Sequence, residues 1–155
     1  MKKLAIPEKL ETIVLDEDSE LVIPFYGVFQ LPNDHCTRYA RLCADFIYGL
    51  DFPIADAWQM RNERDVFSVP ANNTTFHSLV QSKTITPGML VGIHWKDSDN
   101  CASDRKYTHM SLYLGQKDRN PLFLEQFGDK IRLMNIPKYN TVDLQIREAL
   151  GLRKN

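Results

Sequence analysis

Between Asn33 and Gly49 the apolar positions recur at helical spacing. In NDHCTRYARLCADFIYG, Cys36, Tyr39, Ala40, Cys43 and Ile47 fall on one face. Asn33 and Asp34 offer an N-cap oxygen, Gly49 a stop, and Pro32 disfavours helix at Leu31. The run therefore predicts a helix that begins close to Cys36. Upstream the pattern is weaker. Residues 1–20 are polar and mixed, with one apolar patch, Ile13-Val14-Leu15, before the acidic DEDSE, and read as an arm or short strand. LVIPF (residues 21–25) reads as an edge strand interrupted by Pro24. After Gly49, Pro53 stands where a second short helix through ADAWQMRN can start. Residues 66–84, rich in Ser, Asn and Thr, read as loop with one short helix around Phe76 to Val80; His77 there is expected to be exposed or cap-forming.

The second half changes period. Met89 to Trp95 carries a strand signal after the turn Thr86-Pro87-Gly88, and Lys96 to Lys106 is a polar loop. Three strands follow, His109 to Leu114, Leu122 to Phe127 and Lys130 to Ile136, the last two joined by a tight hairpin at Gly128-Asp129. The stretch TVDLQIREALGLRKN reads as a short amphipathic helix ending near Gly151. A helical first half followed by an antiparallel sheet predicts an α+β fold. The expected organisation is one domain over 1–155, with an arm at 1–20, a core over about 21–136 and a tail at 137–155.

Composition narrows the function classes. With 155 residues, 43% of them hydrophobic and 25% charged, the chain suits one globular core. A net charge of −1 supplies no general attraction to nucleic acid or to an anionic membrane, so neither is expected as a partner. The three cysteines, Cys36, Cys43 and Cys101, have no CxxC spacing, and their odd number leaves a free thiol. MKKLAIPEKLETIVLDEDSE has no apolar stretch of the signal-peptide kind, so the expectation is a chain that is cytoplasmic at synthesis, with a specialised secretion or lysis route as the alternative.

Against that background two strands carry unusual polar residues. In HMSLYL, alternation puts His109, Ser111 and Tyr113 on one face and Met110, Leu112 and Leu114 on the other. In LFLEQF, Glu125 shares a face with Phe123 and Phe127, and Gln126 shares the opposite face with Leu122 and Leu124. A carboxylate between aromatics needs a partner, because an unpaired buried charge is costly. Cys36 in the first turn of a helix is where free N–H groups and the helix dipole favour a thiolate. Cys36, His109 and Glu125 are thus candidates for a nucleophile, its base and the group that orients the base.

The segments CTRYARLCADFIYG with the later DAW, TPGMLVGIHW, THMSLYLG and FLEQFGDKIRL, in order over residues 26–136, resemble the papain-like amidohydrolases of the NlpC and CHAP group. They look like that group's cysteine helix, its "GDLV"-type strand, its histidine strand and the following strand with a polar third member. The resemblance implies a papain-like fold, with the cysteine helix packed on a C-terminal antiparallel sheet. It implies a cysteine amidase or endopeptidase that needs no cofactor and cleaves an amide bond in peptidoglycan stem peptides, with an inhibitor or immunity protein as a further partner. Cys36 would be the nucleophile, His109 the base and Glu125 the third member, with Gln126 the adjacent alternative. Tyr26, Gln30 and His35 would line the oxyanion and substrate side. Two positions depart from the pattern: His35 stands where aspartate is common, and Met89 replaces an acidic residue.

Two other readings compete. His35, Cys36, Cys43, His94, Cys101 and His109 include metal-ligating residue types, but no pair has a zinc-knuckle spacing and no metal is expected. The second is a non-catalytic domain of the same fold that binds a ligand or partner, in which Cys36 is an inert packing residue.

Overall fold

The structure, a computed structural model, describes residues 6–26, 36–95, 107, 109–128, 130–136 and 144–153. It is α+β. Strands β1 (Lys9–Val14) and β2 (Glu20–Phe25) form a two-stranded antiparallel sheet. Helix α1 (Cys36–Tyr48) follows, then a single 3-10 turn (Trp58–Asn62), β3 (Val66–Pro70) and α2 (Asn73–Gln81). The remaining strands are β4 (Leu90–Trp95), β5 (His109–Lys117), β6 (Asn120–Phe127), β7 (Lys130–Asn135) and β8 (Leu144–Leu152). Six strands make one sheet in the order β3-β8-β4-β5-β6-β7, with every described neighbour antiparallel. Among the described residues, no helix is long and apolar enough to cross a membrane.

Helix α1 buries the face its periodicity predicts: Tyr39, Ala40, Cys43 and Ala44 are inaccessible to solvent. They pack on Met110, Leu112 and Leu114 of β5 and on Leu122 and Leu124 of β6. The Tyr39 hydroxyl donates to the Pro24 carbonyl at 2.8 Å and so ties α1 to β2. The helix ends at Gly49, whose φ of 68° suits a residue without a Cβ. Asn33 and Asp34, the expected source of the N-cap, lie outside the described residues.

The other face of the sheet is covered too. Phe76 of α2 meets Tyr113 edge-on at 5.3 Å and Phe123 at 5.5 Å, in a second apolar cluster with Ile93, Ile136 and Ile146. Asn72 caps α2 through a reciprocal box with Thr75. The buried Asn73 side chain then accepts from the Ile146 amide and donates to the Leu144 carbonyl, both at 2.7 Å, pinning α2 to β8.

Four expectations are corrected. Residues 144–152 are not an amphipathic helix but a strand between β3 and β4. Leu144, Ile146 and Glu148 point inward while Gln145 and Arg147 are exposed, so alternation and two flanking ladders outweigh the helix propensity of Glu-Ala-Leu. The core accordingly runs past residue 136, taking in Leu144, Ile146, Ala149 and Leu150. Residues 66–70, read as loop, form the edge strand β3 beside it. The acidic run after β1 is also part of the fold: the Asp16 carboxylate accepts from the Asp118 and Arg119 amides, at 2.8 Å each, and docks the β1–β2 hairpin on the β5–β6 turn.

Candidate active site

The first residue of α1 arrives at the first residues of β5. The registered ladder between β5 and β6 stops at Leu112↔Leu124. The start of β5 is therefore held by β4, through Ile93↔His109 and Gly92↔Met110. There the Cys36 thiol is hydrogen-bonded to the His109 side chain, and the Met110 backbone amide also donates to it. Burial opposes ionisation of Cys36. The imidazole and the amide outweigh it and hold the thiol below its ordinary range.

His109 is in turn fixed from behind. Its Nε2 lies 3.1 Å from Glu125 Oε1, the separation of an ion pair, although the ring N–H is not aligned as a hydrogen bond requires. With Nε2 on Glu125, Nδ1 is the nitrogen left for the thiol. The Phe127 ring stands edge-on to the imidazole at 5.9 Å. Burial disfavours the imidazolium, but contacts with Cys36 and Glu125 win and push His109 up to about 9. Cys36 is thus lowered and His109 raised, each by contact with the other.

Glu125 is fully buried. Burial alone would raise its carboxyl, yet it is held below the ordinary carboxylate range by His109, Ser111 and Arg132. Ser111 Oγ donates to Oε1 at 2.6 Å, and Arg132 Nε donates to Oε2 at 2.8 Å. The arrangement follows from register. Glu125 pairs directly with Arg132 across the hairpin, and Ser111, two residues beyond His109, shares the same sheet face. Neither Ser111 nor Arg132 was singled out for this role from the sequence. The signal is present in the sequence: a tight hairpin expected at Gly128-Asp129 would set Glu125 opposite Arg132, the register that β6 and β7 adopt.

Of the two candidates for third member, the structure turns Glu125 toward His109. Gln126 points to the opposite face and donates to the Gly128 carbonyl at 3.1 Å. Tyr26 is not brought to the thiol. It packs edge-on against Tyr39 at 6.0 Å and lies beside Cys43 and Asp45, farther along α1, where burial pushes its phenol up to about 12. The contacts described for Tyr26 are thus with Tyr39, Cys43 and Asp45 rather than with Cys36. Gln30 and His35 lie outside the described residues, as does Cys101. Among the described residues, no group of three or more His, Cys, Asp or Glu side chains is arranged to hold a metal ion.

A second buried carboxylate occupies the other sheet face. Glu148 of β8 accepts a short hydrogen bond from Ser68 Oγ through Oε1, and Arg61 Nε lies 3.5 Å from that oxygen. The Arg61 guanidinium rests on the Trp58 ring at 4.7 Å, and Trp58 meets Tyr107 edge-on at 5.3 Å. Burial and the neighbouring Glu148 push the Tyr107 phenol up. The Tyr107 ring lies over Gly92, where a Cβ would collide with it.

Comparisons with known proteins return no matching family model, no matching curated protein and no matching solved structure. The functional argument therefore rests on the site's own chemistry.

Proposed function

We propose that the protein is a cysteine hydrolase that cleaves an amide bond through Cys36 and His109, on a papain-like fold of the NlpC and CHAP type. The observation that carries the reading is the chain of contacts from a helix-start thiol to an imidazole to a fully buried carboxylate. A buried charge is expensive, and this one is directed at the ring beside the only described cysteine whose thiol is held low.

In this mechanism the Cys36 thiolate attacks the amide carbonyl carbon, and the carbonyl π-electrons move to oxygen. Backbone N–H groups at the start of α1 stabilise the oxyanion. The tetrahedral intermediate collapses with cleavage of the C–N bond, and the imidazolium of His109 gives its proton to the departing amine. The acyl group remains on Cys36 as a thioester. Neutral His109 then takes a proton from water, whose oxygen attacks the thioester and releases the acid and the thiolate. Glu125 keeps the ring oriented and stabilises its charged form. The resemblance in the cysteine and histidine segments supports a peptidoglycan stem peptide, or another short γ- or isopeptide-like amide, as substrate. A lytic role at the cell wall would pair the enzyme with an inhibitor or immunity protein.

The test is the pH dependence of Cys36 alkylation by iodoacetamide in a Cys43→Ala, Cys101→Ala background, with and without His109→Ala. A midpoint well below about 8.5 that rises when His109 is removed supports the pair. An unreactive Cys36, or an ordinary midpoint indifferent to His109, sinks the enzyme and leaves a binding domain with an inert cysteine. Peptidoglycan fragments are the first substrates to screen.

A further inference from the structure

Arg132 lies outside the thiol–imidazole pair, yet its charge is directed at it. Its Nε donates to Glu125 Oε2 at 2.8 Å, while His109 and Ser111 both converge on Oε1. One carboxylate is thus shared between two cationic groups on different oxygens. The guanidinium is seated on the Phe127 ring, 4.2 Å from its centroid, and the same ring stands edge-on to His109. A buried carboxylate bonded to imidazole alone would hold the imidazolium tightly, which orients the ring but makes it a poor proton donor. A second cation on the far oxygen offsets part of that charge.

We propose that Arg132 is a positioning residue that, by sharing Glu125, sets how readily His109 releases its proton to the leaving amine. This inference rests on the Cys36–His109 hydrolase reading. Its geometry is suited to tuning. The Arg132 side chain is 38% exposed on β7, an edge strand of the six-stranded sheet, so its charge can be changed without opening the core. The direction of the effect is fixed by electrostatics. Removing a positive charge makes the local field more negative, so the thiol and the imidazole should both titrate higher. Loss of support for the site would act differently: Cys36 would rise and His109 would fall, each returning toward its ordinary value.

The experiment measures two midpoints in the intact chain carrying Cys43→Ala and Cys101→Ala. Cys36 is followed by iodoacetamide alkylation, and His109 by the NMR shift of its ring Cε1–H. Wild-type Arg132, Arg132→Gln and Arg132→Lys are compared. Arg132→Met, which keeps an aliphatic stem over Phe127, substitutes for the Gln variant if circular dichroism shows that variant unfolded. The expected result is that both midpoints rise by roughly half a unit or more in the uncharged variant and return in the Lys variant. A His109 midpoint that falls or stays in place, while wild type retains its His109-dependent reactive thiol, overturns the role of Arg132 alone. If wild-type Cys36 shows no such reactivity, the hydrolase reading fails and this inference with it.

Discussion

Glu125 and Glu148 are near-copies in local chemistry. Each is buried on an interior strand of the six-stranded sheet, each accepts from a serine on the neighbouring strand, and each lies beside a half-exposed arginine resting on an aromatic ring. They differ in what completes the cluster. Glu125 has His109, which is hydrogen-bonded to the Cys36 thiol. Glu148 has the Tyr107 phenol, which burial and the carboxylate keep protonated. The serine–arginine arrangement is thus a general way for this sheet to bury a carboxylate, and is not by itself evidence of a site. What sets the Glu125 cluster apart is a titratable imidazole, pushed up to about 9, in contact with the Cys36 thiol.

The largest effect expected from that contrast is at His109. Replacing it with Ala should lower the alkylation rate of Cys36 at pH 6.5 toward that of an ordinary thiol, which is only about one per cent ionised there. Next come the two glutamates as a matched pair. Glu125→Gln should lower the His109 midpoint by about one to two units, because the carboxylate that stabilises the imidazolium is lost. Glu148→Gln should leave that midpoint and the alkylation profile where they are. Both should cost about 1–3 kcal/mol in urea unfolding, the range for a hydrogen-bonded buried charge. A Glu148→Gln variant that shifts Cys36 reactivity would end the comparison.

The pH dependence of stability separates the clusters more finely. The His109 midpoint is raised to about 9, so its contribution should be full below about 6.5 and lost as pH rises through 9. The amount is on the order of 3 kcal/mol, shared with Cys36, and His109→Ala should flatten the curve in that window. Glu125 has the opposite sense. Its midpoint is lowered, so its contribution is present above the ordinary carboxylate range and disappears in acid as pH falls through the depressed value. The smallest effect belongs to Cys43. It is two turns from Cys36 on the same helix face, with its thiol pushed up to about 12 by burial, and it should resist alkylation in the folded protein at pH 8.

The positions of the candidate residues were largely legible from local signals and strand parity. Cys36 at a helix start and His109 at a strand start followed from local signals. Strand parity reduced the third member to Glu125 or Gln126, and the fold selects the one on the histidine's face. The partners of Glu125 were harder, because Ser111 and Arg132 become its neighbours only once three strands are in register. The strand β8 was misread for a related reason. Its central position is set by the ladders on either side of it, whereas its residues taken alone favour a helix. Tyr26 packs on Tyr39, one turn along α1 from Cys36, a placement that its distance along the chain does not specify.

The central position of β8 has a consequence for how the protein is made. Strand β3 reaches β4 only through residues 144–152, so the sheet cannot be completed while that segment is still inside the ribosome. Helix α1 and strands β4 to β7 emerge first, with one open edge awaiting a strand that translation delivers later. Shortening the chain before Leu144 would leave that edge exposed, and the expected product is an aggregating species rather than a smaller working domain. Assembly of this fold is therefore governed by a late, long-range pairing, and its folding should be slow for its size.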